Sequence, residues 1–248
     1  MNNNAANEYD PSPPGVPEWF YQQAGAKNIQ ASHELKADAL GGLDSLTELL
    51  NSGAGEQELQ RCIKGNPAIM SGMYRTGHGI FAFSKAEFQL GGKYACDWAI
   101  AEGNSGGFSW ELIEFESPKE CPFMKSGHFS EATRKGINQV NDWRAYIGNN
   151  LSSVRNPEHE DGLGLYGISS GCHGLVVVGR NTQYNQSEGF SRYNEIRRHK
   201  KEESNIEIMS WERFIAKCRF QYEKQPLCAD GSSGLEMHIG DEIIKLGA

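Results

Sequence analysis

Three acidic residues, Asp97, Glu114 and Glu116, have the chemistry and the spacing to bind a divalent cation. Side chains two residues apart on a β-strand point to the same face, so Glu114 and Glu116 would lie on one side of a strand. Carboxylate oxygens are hard ligands, and magnesium is often bound by one or two of them together with water and a substrate phosphate. The three residues therefore indicate a candidate Mg²⁺ site.

A glycine-rich turn centred between Ser105 and Gly106 predicts the hairpin that would bring these acids together. In an antiparallel hairpin with this centre, paired residue numbers add up to 211, which puts Asp97 opposite Glu114. Like charges that face each other destabilise a sheet, so this arrangement needs a cation or a proton to compensate it. The alternative is a solvent-facing strand whose acids do not meet, because acidic residues are common on exposed strand faces.

The elements that would position the acids are predicted from the spacing of apolar residues. Apolar residues recur at three- and four-residue steps in 32–50, which indicates an amphipathic helix with Gly41-Gly42 as a candidate break point. A second helix is expected at 55–64, since it must end before Pro67. Strands are predicted at 80–83, 87–90, 94–101, 109–116, 175–178 and 206–208, and further helices at 130–147, 191–203 and 210–222. This order is typical of an α/β sandwich.

Composition and charge limit the classes of protein that fit. The 248 residues are enough for one main domain. No run of about 18 apolar residues is present and the first fourteen residues are polar, so we expect a cytoplasmic protein without a membrane span. The six cysteines lack paired spacing, which argues against structural zinc. A net charge of −8 counts against binding nucleic acid by overall charge. Local basic patches at 197–201 and 134–135 could still bind DNA, and the alternative is that each is a solvated helix face.

The order of these features resembles the nuclease domain of the Shedu antiphage family, in the PD-(D/E)xK nuclease superfamily. Asp97, a connection that contains glycine, and Glu114-Phe115-Glu116-Ser117-Pro118 resemble the active-site motif. The other matching features, in chain order, are Glu56-x-x-x-Gln60 with Asn66-Pro67, then Gln139 to Trp143 with Tyr146, then 175–180 and 206–214. The resemblance spans about residues 55 to 220.

The resemblance implies a fold and a domain organisation. The fold would be a restriction-endonuclease-like mixed α/β sheet flanked by helices. The nuclease-like domain would occupy 55–221, after an N-terminal extension at 1–54 with a disordered start and a helical remainder, and before a C-terminal tail at 222–248. Apolar positions of the first helix, such as Leu43 and Leu46, fit either self-association into a homo-oligomer or packing on the main domain.

The resemblance also implies an activity, the Mg²⁺-dependent hydrolysis of phosphodiester bonds in DNA during antiphage defence, with Mn²⁺ as a substitute ion. Asp97 and Glu114 would hold the ion, which lowers the pKa of a bound water. Glu116 would contact the metal or the water, and Glu56 is a weaker candidate for an outer ligand. Gln139 and Tyr146 are two helical turns apart on one face and could fix phosphate or the metal shell, the alternatives being a surface amide and core packing.

One position departs from the family pattern, because Glu116 stands where a lysine is expected two residues after Glu114. A third carboxylate could bind metal or orient the attacking water. Lys119 could instead supply the missing positive charge, although Pro118 makes its direction hard to predict. The third interpretation is a catalytically degenerate nuclease-fold module that binds DNA or a partner protein.

Overall fold

The computed structural model describes the chain at 27–31, 33–73, 81–104, 107–155, 165, 167–184, 190–224, 235–239 and 242–246. The start of the chain that was predicted to be disordered lies outside these residues. So does the centre of the predicted turn, residues 105–106.

A mixed β-sheet forms the centre of the described molecule. Its strands are β1 (Lys27–Ala31), β2 (Phe81–Leu90), β3 (Tyr94–Asn104), β4 (Gly107–Phe115), β5 (His173–Val177), β6 (Ile206–Met209), β7 (Leu235–Ile239) and β8 (Glu242–Leu246). Their order in space is β1-β8-β7-β2-β3-β4-β5-β6. Strands β2, β3 and β4 are antiparallel neighbours, whereas β4, β5 and β6 are parallel. Strands β1, β7 and β8 were not predicted from the sequence.

Helices flank both faces of the sheet, so the predicted fold class, a mixed α/β sheet flanked by helices with an N-terminal helical extension, is confirmed. The helices are α1 (His33–Asn51), α2 (Glu56–Gly65), a 3₁₀ helix (Pro67–Met73), α3 (Glu131–Asn149), α4 (Leu151–Arg155), α5 (Asn181–Tyr184), α6 (Phe190–Ser204) and α7 (Trp211–Lys224). Helix α3 starts at the predicted cap, where the Ser130 hydroxyl accepts the Thr133 N–H at 3.3 Å. None of the helices in the described part of the chain is long and apolar enough to cross a membrane.

Two apolar clusters hold the layers together, one on each face of the sheet. On one face, Val140 and Trp143 of α3 pack against the sheet residues Leu112 and Val176. On the other face, α1, α2, the 3₁₀ helix and α7 cover the sheet, and the Trp211 ring stacks on Phe115 with centroids 5.0 Å apart. Strand β4 therefore has helices on both sides, which makes its carboxyl end a sheltered place for polar side chains.

The structure answers two questions about helix α1 that the sequence left open. It is one continuous helix without a break at Gly41-Gly42. Gly42 lies where α1 approaches the next segment closely, since a Cβ atom there would be 2.9 Å from Asn66 Cβ. In addition, Leu43 and Leu46 are fully buried against the chain's own core. Packing on the main domain, one of the two predicted uses of these leucines, is what the structure shows.

The predicted register of the hairpin is confirmed. Trp98 pairs with Ile113 and Asn104 pairs with Gly107, and both pairs add up to 211. The two strands predicted at 80–83 and 87–90 are instead one strand, β2. This strand is continuous but distorted at Glu87, whose φ of 47° lies in the left-handed region.

Candidate active site

Two of the predicted acids, Glu114 and Glu116, lie at the carboxyl end of β4, on the side of the sheet that faces α3. Glu114 pairs with Val176 of β5 and is only 5% exposed, and Glu116 is 4% exposed. Phe115 between them points to the opposite face, into the cluster around α7. The alternation of a strand therefore places two carboxylates on the α3 side, as predicted.

The backbone at Glu116 is fixed although β4 has formally ended. Its N–H donates to the Val177 carbonyl at 2.8 Å, and its carbonyl accepts the indole N–H of Trp211 at 2.9 Å. Helix α3 also approaches closely here, because a Cβ atom at Gly136 would lie 2.7 Å from Val176 Cγ1 and 3.4 Å from Glu116 Cγ. The Glu116 side chain is thus held between the strand end and α3.

The alternation of side chains is broken next to Asp97, on both β2 and β3. Ala86 and its partner Trp98 belong to the cluster on the α7 face, whereas Phe88 and its partner Cys96 belong to the cluster on the α3 face. Residues two apart on a regular strand share a face, so the strands must twist between these pairs. The left-handed Glu87 lies at that point and provides the change of direction.

This distortion sets the direction of the Asp97 carboxylate. Asp97 Oδ2 accepts the Phe115 N–H at 2.8 Å and the Gln60 amide of α2 at 3.2 Å. The sequence predicted the pairing of Asp97 with Glu114 but not this orientation, in which the carboxylate binds the backbone of β4 and a helix from the opposite layer. Burial raises the pKa of Asp97, against the lowering effects of the Phe115 N–H and of Lys64.

Glu114 is the carboxyl group most strongly affected by the cluster. Burial, and then the nearby charges of Asp97 and Glu116, raise the pKa of Glu114 to about 9, although Lys135 and a hydrogen bond with Gln139 act in the opposite direction. A pKa raised in this way favours the protonated carboxyl at neutral pH when no cation is bound. The sequence predicted that facing acids need a cation or a proton, and the electrostatics of the site agree with that requirement.

Lys135 of α3 provides positive charge that the strand lacks. Its Nζ lies 3.1 and 3.2 Å from the two carboxylate oxygens of Glu116. The hydrogen bond with Glu116 raises the pKa of Lys135, although burial alone would lower it. The side chain of Lys119 is exposed, and the contacts of that residue with described residues are made by its backbone, to Ser117 and Gln183. The lysine that contacts the acids is therefore not the predicted one.

Sequence reasoning included Lys135 in a basic patch and missed it as a site residue. Because the lysine expected two positions after Glu114 is missing, another lysine had to supply the positive charge. A lysine one turn from Gln139 on α3 was the residue to look for. Lys135 and Gln139 are four residues apart on α3 and therefore lie on the same face. That spacing could have identified it.

The other two predicted residues of α3 have different environments. Gln139 bonds to Glu114, and its Oε1 is buried without a hydrogen-bond partner among the described residues. The Tyr146 ring instead packs edge-to-face on Tyr94, at 5.8 Å between centroids, and lies against Gly91. Tyr146 thus has a packing role, which was the alternative considered for it, and Gln139 is at the acids.

Glu56 joins the cluster from the first turn of α2. It accepts a hydrogen bond from Gln60 at 3.4 Å, the same amide that donates to Asp97. Burial and then the charge of Glu116 raise the pKa of Glu56, with a further contribution from Asp97. Glu56 therefore interacts with the same acids, as expected for a residue in the outer part of the site.

A groove of about 710 Å³ opens beside these residues, between the strand end and α3. Its lining includes Glu116, Lys135 and Gln139, together with Arg134 and Glu120. The lining carries both charge signs. A phosphate group that entered the groove would meet the Lys135 ammonium next to the acids.

The donor set fits magnesium only with help from water or substrate. In the described part of the chain, no group of three or more His, Cys, Asp or Glu side chains is arranged so that it could hold a metal ion. Magnesium does not need one, because it commonly uses one or two carboxylates plus waters and phosphate oxygens. The carboxylates of Asp97 and Glu114 and the unpartnered Gln139 oxygen would be the protein's part of such a shell.

Comparison with known proteins identifies the family of this chain. The family model described as "Shedu protein SduA, C-terminal" matches residues 53–215, well over half of the chain. The match includes every residue placed in the cluster, from Glu56 of α2 to Gln139 of α3. No curated protein of significant similarity was found.

Proposed function

Because this chain belongs to the Shedu protein SduA C-terminal family, we propose that it is a Mg²⁺-dependent endonuclease that hydrolyses phosphodiester bonds in DNA. Membership of the family supports a role in antiphage defence. The nuclease activity, the metal, the PD-(D/E)xK assignment and the DNA substrate are parts of the proposal.

One observation carries the proposal: the acidic side chains of Asp97, Glu114 and Glu116 lie close enough at the end of β4 for the charges of the other two to raise the pKa of Glu114. Burial is the larger cause, and together these effects raise that pKa to about 9. Structural burial of an acid is normally accompanied by an ion pair or hydrogen bonds that favour the ionised form. Here burial and neighbouring acids outweigh those contacts, which is typical of functional sites.

Each residue of the cluster has a role in the proposed reaction. Asp97 and Glu114 would hold Mg²⁺, or Mn²⁺ in its place, and Gln139 Oε1 would complete the polar shell. When bound, the ion would lower the pKa of a water and neutralise charge on the phosphate. Glu116 would orient that water, and Lys135 would bind a phosphate oxygen. Lys119 is the alternative source of positive charge, but none of its contacts with the described residues supports a catalytic role.

The second candidate is a degenerate module that binds DNA or a partner protein without cutting. The ion pair between Lys135 and Glu116 favours it, because both groups are already satisfied by each other. In the nuclease this pair must open or share its charge when a phosphate enters. The two candidates therefore differ in the consequence of adding DNA and metal.

A cleavage assay separates the two candidates. The purified chain is incubated with supercoiled plasmid and with linear duplex in Mg²⁺, Mn²⁺ or EDTA, together with the variants Asp97→Asn and Glu114→Gln. The control is Glu48→Gln, which removes an exposed acid on α1. We expect metal-dependent cutting by the parent and by the control, and loss of cutting in both site variants with folding retained. DNA binding without cutting by the parent would establish the module instead.

Two further expectations accompany the proposal. A protein that cuts phage DNA would act in the cytoplasm, and we propose that location. We also propose a homo-oligomer, although the leucines first considered for its contact face are buried within the chain. Sedimentation of the purified protein measures the number of subunits.

A further inference from the structure

A short hairpin at residues 123–129, the tip hairpin, lies between β4 and α3. Phe123 and Phe129 form an antiparallel bridge. Inside it, the Met124 N–H donates to the His128 carbonyl at 2.8 Å, and the Gly127 N–H donates to the Met124 carbonyl at 2.8 Å. Gly127 has a φ of 84°, which a glycine adopts without strain. These bonds define a tight turn rather than an irregular loop.

The base of the tip hairpin is fixed by aromatic stacking. The Phe123 ring stacks on Tyr193 of α6 with centroids 4.3 Å apart and on Phe129 at 5.4 Å. The Thr133 hydroxyl of α3 donates to the Pro122 carbonyl at 2.9 Å. Because two helices hold the base, the end of the hairpin is presented in one orientation, which lowers the entropy cost of binding a partner.

The end of the tip hairpin exposes an apolar side chain. Met124 is 39% exposed and is one of two large hydrophobic residues in the described chain that are classed as exposed, the other being Phe220 of α7. A single exposed apolar residue is common and means little alone. At Met124, however, the exposed Lys125 follows directly, and the Arg192 guanidinium lies against Gly127.

The hairpin and its flanks, residues 119–134, carry three cationic and two acidic side chains, in a chain whose net charge is −8. Four cationic side chains belong to the hairpin or adjoin it in sequence or space, and two acids lie nearby in the sequence. The cations are Lys119, Lys125, Arg134 and Arg192, and the acids are Glu120 and Glu131. In the part of the chain that the structure describes, no ion pair joins these cations to a carboxylate.

The basic run predicted at 197–201 contrasts with this surface. On α6, Arg198 pairs with Glu202 and His199 lies 3.8 Å from Glu195. Lys201 forms an ion pair of 2.7 Å with Glu207 of β6. The charges of this basic run are therefore largely compensated within the chain, which agrees with the alternative interpretation of the run as a solvated helix face. The tip hairpin is therefore the better candidate for contact with an anionic partner.

The tip hairpin is also connected to the candidate active site. Arg134 donates to the Phe129 carbonyl at 3.0 Å and lines the groove that leads to Glu116. A DNA strand whose phosphate lies in the groove would thus have its neighbouring nucleotides next to the hairpin.

We propose that the tip hairpin binds duplex DNA beside the cleavage site, an inference that rests on the proposed function. Lys125 and Arg192 contact phosphates. Met124 enters the duplex groove and partly unstacks a base step, as apolar side chains do in proteins that kink DNA. The hairpin would thereby set the position of the strand relative to the acids.

Binding of a short fluorescein-labelled duplex in Ca²⁺, followed by fluorescence anisotropy, tests the proposal. Met124→Ala should weaken binding about tenfold, because the contact that Met124 would bury against the duplex is lost. Lys125→Gln should reduce the slope of log K against log salt by about 0.9, the contribution of one phosphate contact. A duplex with 2-aminopurine should brighten when the parent binds and brighten less with Met124→Ala.

Matched controls separate a local role from a general one. Phe220→Ala removes another exposed apolar side chain, and Lys85→Gln removes an exposed lysine of β2. Both should bind duplex as the parent does, and all four variants should keep the parent's thermal midpoint. The proposal is overturned if both hairpin variants bind duplex with the affinity and salt dependence of the parent. If the hairpin variants show the expected effects but the parent does not cut DNA in Mg²⁺, only the nuclease function is overturned.

Discussion

Replacement of Glu114 by glutamine should remove a pH dependence of folding stability that the parent protein carries. The cause is the pKa of Glu114, which burial and then Asp97 and Glu116 raise from 4.5 to about 9. Between these values the folded chain keeps a proton that the unfolded chain has released. The free energy of unfolding must therefore fall as the pH rises through this window.

The size of the effect follows from the number of protons. The stabilisation is fully present below the unfolded pKa and is lost progressively up to the folded pKa of about 9. One proton gives a slope of about 1.4 kcal/mol per pH unit. Relaxation around the carboxyl lowers this limit, so we expect the parent to lose roughly 1–3 kcal/mol between about pH 6 and pH 8.

Urea unfolding in EDTA, followed by circular dichroism at several pH values, measures this loss. Glutamine resembles the protonated carboxyl in shape but cannot ionise, so Glu114→Gln should have the flatter curve. Glu48→Gln, an exposed acid on α1, should keep the slope of the parent. Parallel curves for the parent and Glu114→Gln would show that the proton is not held by Glu114 and would refute this reasoning.

Three other predictions concern the surroundings of the cluster. Lys135→Ala should lower the rate of DNA cleavage about 100-fold, because a preorganised positive group beside the acids is lost. Lys135→Arg should recover part of the rate. An unchanged rate in Lys135→Ala would exclude the role of Lys135. Gly136→Ala should destabilise the fold by about 1–3 kcal/mol in urea unfolding, because the new Cβ atom would lie 2.7 Å from Val176 Cγ1. Equal stability of this variant and the parent would mean that α3 moves without cost. Glu87→Gly should be about 1 kcal/mol more stable than Glu87→Ala. Both variants lose the ion pair with Lys64, but only glycine adopts the φ of 47° without strain. Equal stability of the two variants would show that this backbone is unstrained.

The register of the site could be predicted because it depends on local chemistry. The turn between β3 and β4 fixes the pairing of the two strands, and the two-residue period then fixes the faces of Glu114 and Glu116. The start of α3 was predictable for a similar reason, since the Ser130 cap acts within one turn. These features need no information about distant parts of the chain.

The orientation of Asp97 could not be predicted, because it depends on the left-handed backbone of Glu87. Glutamate is not a residue that signals a positive φ, so the sequence carries no mark of this distortion. Lys135 was missed for a different reason. It reaches Glu116 from a helix nineteen residues further along the chain, and only the packing of α3 at Gly136 brings them together.

Binding of Mn²⁺ in the presence of a short duplex, measured by electron paramagnetic resonance, tests the central claim most directly: the acids at the end of β4 hold a divalent cation beside DNA. The parent and Glu48→Gln should bind an ion that Glu114→Gln and Asp97→Asn do not bind. Equal Mn²⁺ binding by all four proteins would contradict the account.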